Sequence, residues 1–267
     1  DELFWAVFNV PEKSMQGMVT FVGAGPGDPE LVTVKGARLI KEADLVLFAG
    51  SLVPRELVAG TKPGAEVLDS SGMTLEETHA LMRDAVSSGK DVARVHTGDP
   101  SLYGAVCEQA ALLEKDGIAY RIVPGVTAAF AAAAAAGVSL TTPESVQSFA
   151  IARIAGRTPV PPGQELREYA RRGGSLAVYL SASEADVLRE ELLEGGVPPD
   201  TPVLAAYRVG WPEQRLIWTT VEGVAERVKA ENLHRQTVFL VLPGMKSTEF
   251  APSRLYDATF FHGFGPE

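Results

Sequence analysis

The sequence predicts an α/β protein of two α/β domains, the first built on a mostly parallel sheet and the second on a mixed one. Three observations carry this. From Met18 onward, short runs of β-branched and aliphatic residues alternate with stretches of helical periodicity. Glycine follows several of these runs, where turns and helix ends call for it. Beyond Leu140 two strand-like runs succeed each other across a short link, the pattern of antiparallel neighbours.

In the first half the expected strands are MVTFVG, DLVLFAG, AEVLDS, DVARVHTG and YRIVPG. Between them lie the expected helices VTVKGARLIKEA, TLEETHALMRDAVSSG and SLYGAVCEQAALLEKDG, and the alanine-rich VTAAFAAAAAAG closes the domain. Alanine favours helix and leaves little bulk, so another element or a ligand can approach that helix closely. In the second half SVQSFAIAR and SLAVYLS are expected strands, followed by the helix EADVLREELLEGG. PVLAAYRV and QRLIWTTV form an expected strand pair, then come helix EGVAERVKAEN and strand QTVFLVLPG. The expected divisions are an N-terminal extension (1–17), a first domain (18–141), a second domain (142–248) and a tail (249–267).

Composition narrows the function classes. The 267 residues are 46% hydrophobic, ample for a core, and the formal net charge is −10. That balance argues against nucleic acid as a partner, because phosphate binding needs a basic face. No stretch approaches the ~20 apolar residues of a membrane span, and no signal-peptide pattern opens the chain, so a cytoplasmic protein without a membrane partner is expected. The single Cys107 forms no internal disulfide and, in a helical pattern, is expected as a packed core thiol. His79 is expected as a solvated helix residue. No metal-ligand spacing and no nucleophilic triad is present, so no metal is expected.

The stretch FVGAGPGDPELVTVKG (21–36) resembles a nucleotide loop but fails both tests for one. A dinucleotide fingerprint needs a glycine where Asp28 stands, and an acid about 20 residues on at the end of the second strand. Asp44 precedes that strand. A phosphate loop needs Gly-Lys-Ser/Thr, and Lys35-Gly36 is in the wrong order. HTGDPSLYG (96–104) and VPGVTAA (123–129) are loops of the same style at strand C-termini, where open α/β sheets place ligands. Backbone turns, small residues and the carboxylate of Asp99 suit a ligand with ribose hydroxyls, an adenine and a cation but no phosphate. S-adenosylmethionine is such a ligand.

VGAGPGDPELVTVKGARLIKEADLVLF, HTGDPSLYG and VPGVTAAFAAAAAAG, in this order, resemble the tetrapyrrole (corrin/porphyrin) methyltransferase family. Its members methylate uroporphyrinogen, diphthine or corrin intermediates with S-adenosylmethionine, which leaves S-adenosylhomocysteine. AGSLVPRELV, KPGAEVLDSSGM, GRTPVP and the tail LYDATFFHGF resemble a corrin-methylating branch. The resemblance implies a homodimer of two α/β domains with the cofactor in the cleft between them. It implies cofactor contacts at Pro26, Thr97, Gly98, Asp99, Leu102, Thr127 and Ala128, and in the second domain at Leu180, Val209 and Pro243. Uroporphyrinogen-methylating relatives carry an aspartate after the second strand and a lysine after the third. Gly50 and Asp69 stand near those places here, so no acid–base pair carries over and the catalytic residue is unassigned.

A tetrapyrrole substrate carries many carboxylates, which arginine forks grip with two bonds. Arg157, Arg153, Arg94 and His96 are the candidates for this, with Tyr103 as a further orienting group. Methyl transfer from a sulfonium needs no metal or covalent nucleophile, and alignment alone can account for ~7–11 kcal/mol of barrier. A rival from another class is a module that holds S-adenosylmethionine without catalysis.

Overall fold

The computed structural model describes residues 17–156 and 158–246. The chain divides into two compact units, one running to Ala131 with Gly210–Pro212, the other comprising Ala132–Val209 and the chain from Glu213 on. The division falls earlier than residue 141.

In the first unit, strands β1 (Val19–Gly23), β2 (Leu45–Phe48), β3 (Glu66–Asp69), β4 (Val92–His96) and β5 (Tyr120–Val123) form one sheet in the order β3-β2-β4-β1-β5. Every pairing is parallel. β1 lies near the middle and is buried along its length, which is why VTFVG reads as a continuous apolar run rather than an alternating one. β3 is an edge strand, largely exposed, with acids at both ends that discourage further pairing.

Helices cover both faces. On one face α1 (Val34–Glu42) and the short α2 (Arg55–Val58) pack Ile40 and Val58 against Val22, Val46 and Val95. On the other, α3 (Leu75–Ser87) and α4 (Val106–Lys115) pack Met82 and Leu113 against Phe21, Leu47 and Val92. α1 starts where the Thr33 hydroxyl accepts from the Gly36 N–H, and α3 where Thr74 and Glu77 form a reciprocal capping box.

α4 departs from the sequence pattern in two ways. It starts at Val106 rather than Ser101, because Tyr103 and Ala105 are left-handed (φ 55° and 50°) and cannot continue a right-handed helix backward. Its buried stripe is Val106, Gln109, Ala110 and Leu113, so Cys107 faces out; the expected core thiol is exposed. His79 departs as well. It is buried on α3, its Nε2 lying 2.8 Å from the Asp116 carboxylate, rather than solvated. α5 (Ala128–Ala136) buries Ala129 and Ala131–Ala133, the close packing its missing bulk permits.

In the second unit, β6 (Phe149–Arg153), β7 (Ser175–Tyr179), β8 (Pro202–Tyr207), β9 (Arg215–Thr220) and β10 (Thr237–Val241) are ordered β6-β7-β10-β8-β9. Only β6 and β7 pair in parallel; the other neighbours are antiparallel, giving the mixed sheet expected. α6 (Leu166–Ala170), α7 (Ala185–Glu194) and α8 (Val224–Ala230) press Leu166, Leu188, Leu192 and Val228 onto Leu176, Val203 and Phe239. α6 has no counterpart among the expected elements, because its five residues are too few for a 3.6-residue period to register. Among the described residues no helix is long and apolar enough to cross a membrane.

Leu188 of α7 is fully enclosed in this second core. Leu188→Ala is expected to lower stability by about 2–5 kcal/mol, read as a shift in the urea midpoint without change in the slope.

Candidate functional site

The sheet order fixes where the three glycine loops meet. β4, β1 and β5 are neighbours and all run the same way, so the segments following them emerge side by side at one end of the sheet. There the backbone of each touches the next. Ala24 N–H donates to the His96 carbonyl (2.7 Å), and Gly25 and Gly98 exchange two hydrogen bonds (3.2 and 2.7 Å). Gly25 and Gly98 are both left-handed (φ 77° and 62°), which glycine accepts without strain. A Cβ on Gly125 would lie 2.1 Å from the Gly98 carbonyl oxygen, and one on Gly23 would lie 2.5 Å from the Gly125 nitrogen. These glycines serve backbone-to-backbone approach.

Asp99 ties the loops together. Its Oδ1 accepts from the Ser101 N–H (2.8 Å) and its Oδ2 from the Gly125 N–H (2.9 Å), so one carboxylate spans the β4 and β5 loops. It makes no ion pair among the described residues. Around it, Thr97 is exposed and Gly98 and Leu102 are half-buried; Thr127 is buried, and its carbonyl accepts from the Ala131 N–H at the start of α5. The structure therefore gathers Gly98, Asp99, Thr127 and their neighbours Thr97, Leu102 and Ala128 at one place.

Pro26 belongs to the same loop end but is buried. Its carbonyl accepts from Trp211 Nε1 (3.0 Å), and a Cβ on Gly27 would lie 2.3 Å from that indole. Asp28 caps the next turn by accepting from the Glu30 N–H (2.9 Å), a local role that explains an acid where a dinucleotide loop has glycine. Trp211 escaped the sequence reading. It sits 185 residues from its partner, and only the Gly27 constraint hints at a large ring above the loop.

Arg94 and His96 are not presented to a ligand. Both point from β4 toward the α3/α4 face. Arg94 Nε donates to Gln109 Oε1 (2.9 Å) and Nη1 to Ser70 Oγ (2.7 Å), while the His96 ring lies 5.7 Å from Phe21. Their expected place at the substrate is corrected by strand alternation, which turns both inward. Tyr103 is exposed on the neighbouring loop. Asp69, at the end of β3, accepts from the Gly50 and Ser71 N–H groups (3.0 and 2.9 Å) and from the Ser71 hydroxyl. These bonds hold its carboxyl down to about 2, the hydroxyl contributing most.

In the second unit Leu180 and Val209 follow the C-terminal ends of β7 and β8. The pairings Val178↔Phe239 and Tyr207↔Thr237 bring those ends to the same sheet edge, at the start of β10. Arg153, paired with Tyr179, lies there too. Its guanidinium is held by the carbonyls of Ile154, Thr158 and Pro159 (3.3, 2.8 and 2.7 Å), so it braces its own loop. Pro243 follows the far end of β10, at the opposite edge, about 16 Å away along five strand residues. It is not grouped with Leu180 and Val209. Arg157 and the LYDATFFHGF tail lie outside the described residues.

Residues 18–225 match the profile of the Tetrapyrrole (Corrin/Porphyrin) Methylases. The chain belongs to this family. It is 44% identical to a cobalt-precorrin-4 C(11)-methyltransferase of Priestia megaterium, over 91% of this chain and 95% of the relative. It is 43% identical to a precorrin-4 C(11)-methyltransferase of Pseudomonas aeruginosa, over 93% and 98%. Among solved structures, a cobalt precorrin-4 methyltransferase of cobalamin biosynthesis superposes with a TM-score of 0.81 at 44% identity, covering 84% of this chain and 94% of that one. A uroporphyrin-III C-methyltransferase of Thermus thermophilus, complexed with S-adenosylhomocysteine, gives 0.70 at 31% identity, covering 84% and 92%.

Electrostatics inside this methylase's first unit follow from burial. Arg94 is pushed down to about 10 by burial and stays charged at neutral pH. His96 is pushed down to about 3, by burial first and by the Arg94 charge second, while a hydrogen bond with the Gly104 backbone opposes both. Its Nε2 is buried without a hydrogen-bond partner among the described residues. The ring is therefore neutral in the folded protein.

Gly125→Ala is expected to force the β4 and β5 loops apart and lower stability by about 1–3 kcal/mol; calorimetry with S-adenosylhomocysteine should show weakened binding alongside. His96 predicts an acid response. The unfolded imidazole titrates near 6.5 and the folded one near 3, so between them the unfolded chain holds the extra proton. The contribution is complete above the unfolded value and is lost as pH falls toward 3. The thermal midpoint should drop more between pH 7 and 5 in the wild type than in His96→Gln.

Proposed function

We propose that this chain transfers a methyl group from S-adenosylmethionine to carbon 11 of precorrin-4, giving precorrin-5 in cobalamin biosynthesis. The observation that carries the reading is 43% identity over nine-tenths of the chain to a relative with that activity in its name. The cobalt-bearing substrate is the second reading, because a 44% identical relative is named for it.

The loop cluster fits the methyl donor. Among the described residues gathered there, Thr97, Gly98, Asp99, Leu102, Thr127 and Ala128, none is the basic side chain a phosphate needs. Each Asp99 oxygen holds one amide and retains acceptor capacity for a hydroxyl or amino group. A carboxylate without an ion-pair partner suits a cationic ligand. Thr97, Gly98, Asp99, Leu102, Thr127 and Ala128 of the first unit would hold it. When bound, S-adenosylmethionine supplies an electrophilic methyl on a positively charged leaving group. The residues of the chain fix the loops, exclude water and orient the tetrapyrrole. Arg157 is the cation we assign to substrate carboxylates, since Arg94 and Arg153 have other partners. A homodimer, as the resemblance implies, completes this reading.

Incubation with precorrin-4 and the 13C-methyl cofactor should yield a product whose new methyl signal is assigned by NMR to carbon 11. Cofactor binding without S-adenosylhomocysteine formation would favour a non-catalytic module. Asp99→Asn should raise the S-adenosylhomocysteine Kd about tenfold, equivalent to ~1.4 kcal/mol, because one charge-assisted bond between the loops is lost.

A further inference from the structure

A buried polar chain runs from Arg94 beneath the β4 loop, and none of its members is among the proposed cofactor or substrate contacts. Arg94 can only donate. Its Nη1 therefore meets Ser70 Oγ as an acceptor, and that hydroxyl donates onward to the Phe48 carbonyl (3.2 Å). Its Nε meets Gln109 Oε1, which fixes the orientation of the amide and leaves Gln109 Nε2 to donate to the Ala105 carbonyl (3.1 Å). Gln109 is 4% exposed. Arg94 has no carboxylate partner among the described residues, so ion pairing does not offset its burial.

The chain ends on a strained piece of backbone. Tyr103 and Ala105 are left-handed without being glycine, and they flank Gly104. A Cβ on Gly104 would lie 2.4 Å from the Pro100 carbonyl oxygen, so the loop folds tightly back on itself there. Ala105 is also the N-cap of α4 and makes no side-chain capping bond. Such conformations persist where surrounding contacts over-determine them, and they gather at functional sites. Two of the contacts here are Gln109 on Ala105 and His96 on the Gly104 backbone. Leu102 and Asp99 sit immediately upstream, with the Leu102 N–H donating to the Asp99 carbonyl (3.2 Å).

We propose that Gln109, oriented by Arg94, is a positioning residue that holds the left-handed Tyr103–Ala105 turn and thereby sets the Thr97–Leu102 loop for the methyl donor. The proposal rests on the assignment of that loop to S-adenosylmethionine. It gives Arg94 a role through Gln109 rather than through the tetrapyrrole.

Gln109→Glu separates the two ends of the chain. The carboxylate still accepts from Arg94, but it cannot donate to the Ala105 carbonyl. S-adenosylhomocysteine Kd by calorimetry should rise about tenfold or more, and the Leu102 amide should exchange faster in the unliganded protein. The donor KM should rise while kcat at saturating donor stays near the wild-type value. Adding Ala105→Gly, which takes the left-handed conformation without strain, should return the Kd to within about threefold of wild type. An unchanged Kd in Gln109→Glu, or no recovery in the double variant, overturns the positioning role while leaving the cofactor assignment intact. Failure of the wild type to bind S-adenosylhomocysteine overturns the cofactor assignment and the proposal with it. If Gln109→Glu does not fold, Gln109→Asn, too short to reach both partners, is measured instead with the same expectations.

Discussion

The first unit depends on one close approach, the contact of three backbones at Gly23, Gly98 and Gly125. Side chains cannot substitute for it. With Cβ positions 2.1–2.9 Å from neighbouring backbone atoms at Gly23 and Gly125, any larger residue must push two loops apart. Once the backbones meet, Asp99 can reach the Gly125 amide, Gly25 and Gly98 can exchange their pair of bonds, and Thr127 is fixed at the entrance to α5. The parallel order β4-β1-β5 makes the approach possible by bringing the three strand ends together. The tight turn and the proposed ligand surface are two faces of the same backbone.

Beneath this surface the unit tolerates an unusual interior. A charged guanidinium and a neutral imidazole share one side of β4, and among the described residues the arginine's hydrogen-bond partners are neutral. Each partner constrains the next through donor and acceptor identity, so the cluster has one hydrogen-bonding pattern rather than several. A half-satisfied network would destabilise the core more than an apolar replacement would. On the proposal made above, its fixed pattern lets a few buried groups hold the geometry of the adjoining turn.

The architecture was legible in the sequence because it rests on local signals. Apolar runs marked β1, β2 and β4, helical periodicity in TLEETHALMRDAVSSG marked α3, and the paired runs 202–207 and 215–220 marked the antiparallel part of the second sheet. What escaped depends on facts that one segment does not contain. Cys107 and His79 were misplaced because a helical stripe one residue wider or narrower reverses their burial. Arg94 and His96 looked like ligand-facing cations because proximity in sequence to a loop says nothing about which side of the strand they take. Gln109 carried no signal at all. A polar residue on a helix is ordinarily solvated, and only the arginine across from it explains its burial. In the second unit, the motif resemblance placed Leu180, Val209 and Pro243 together, and the antiparallel direction of β10 separates Pro243 from the other two.

The indole of Trp211 has a consequence for the order of events in synthesis. The β1 loop leaves the ribosome before the ring that covers Gly27 and binds the Pro26 carbonyl, which follows 185 residues later. The segment that supplies it, Gly210–Pro212, returns from the middle of the second unit's sequence to join the first. The nascent first unit can form its parallel sheet once β5 has emerged, but its first glycine loop stays unfinished until most of the second unit has been translated. The proposed cofactor loop therefore reaches its final form only after Trp211 has emerged.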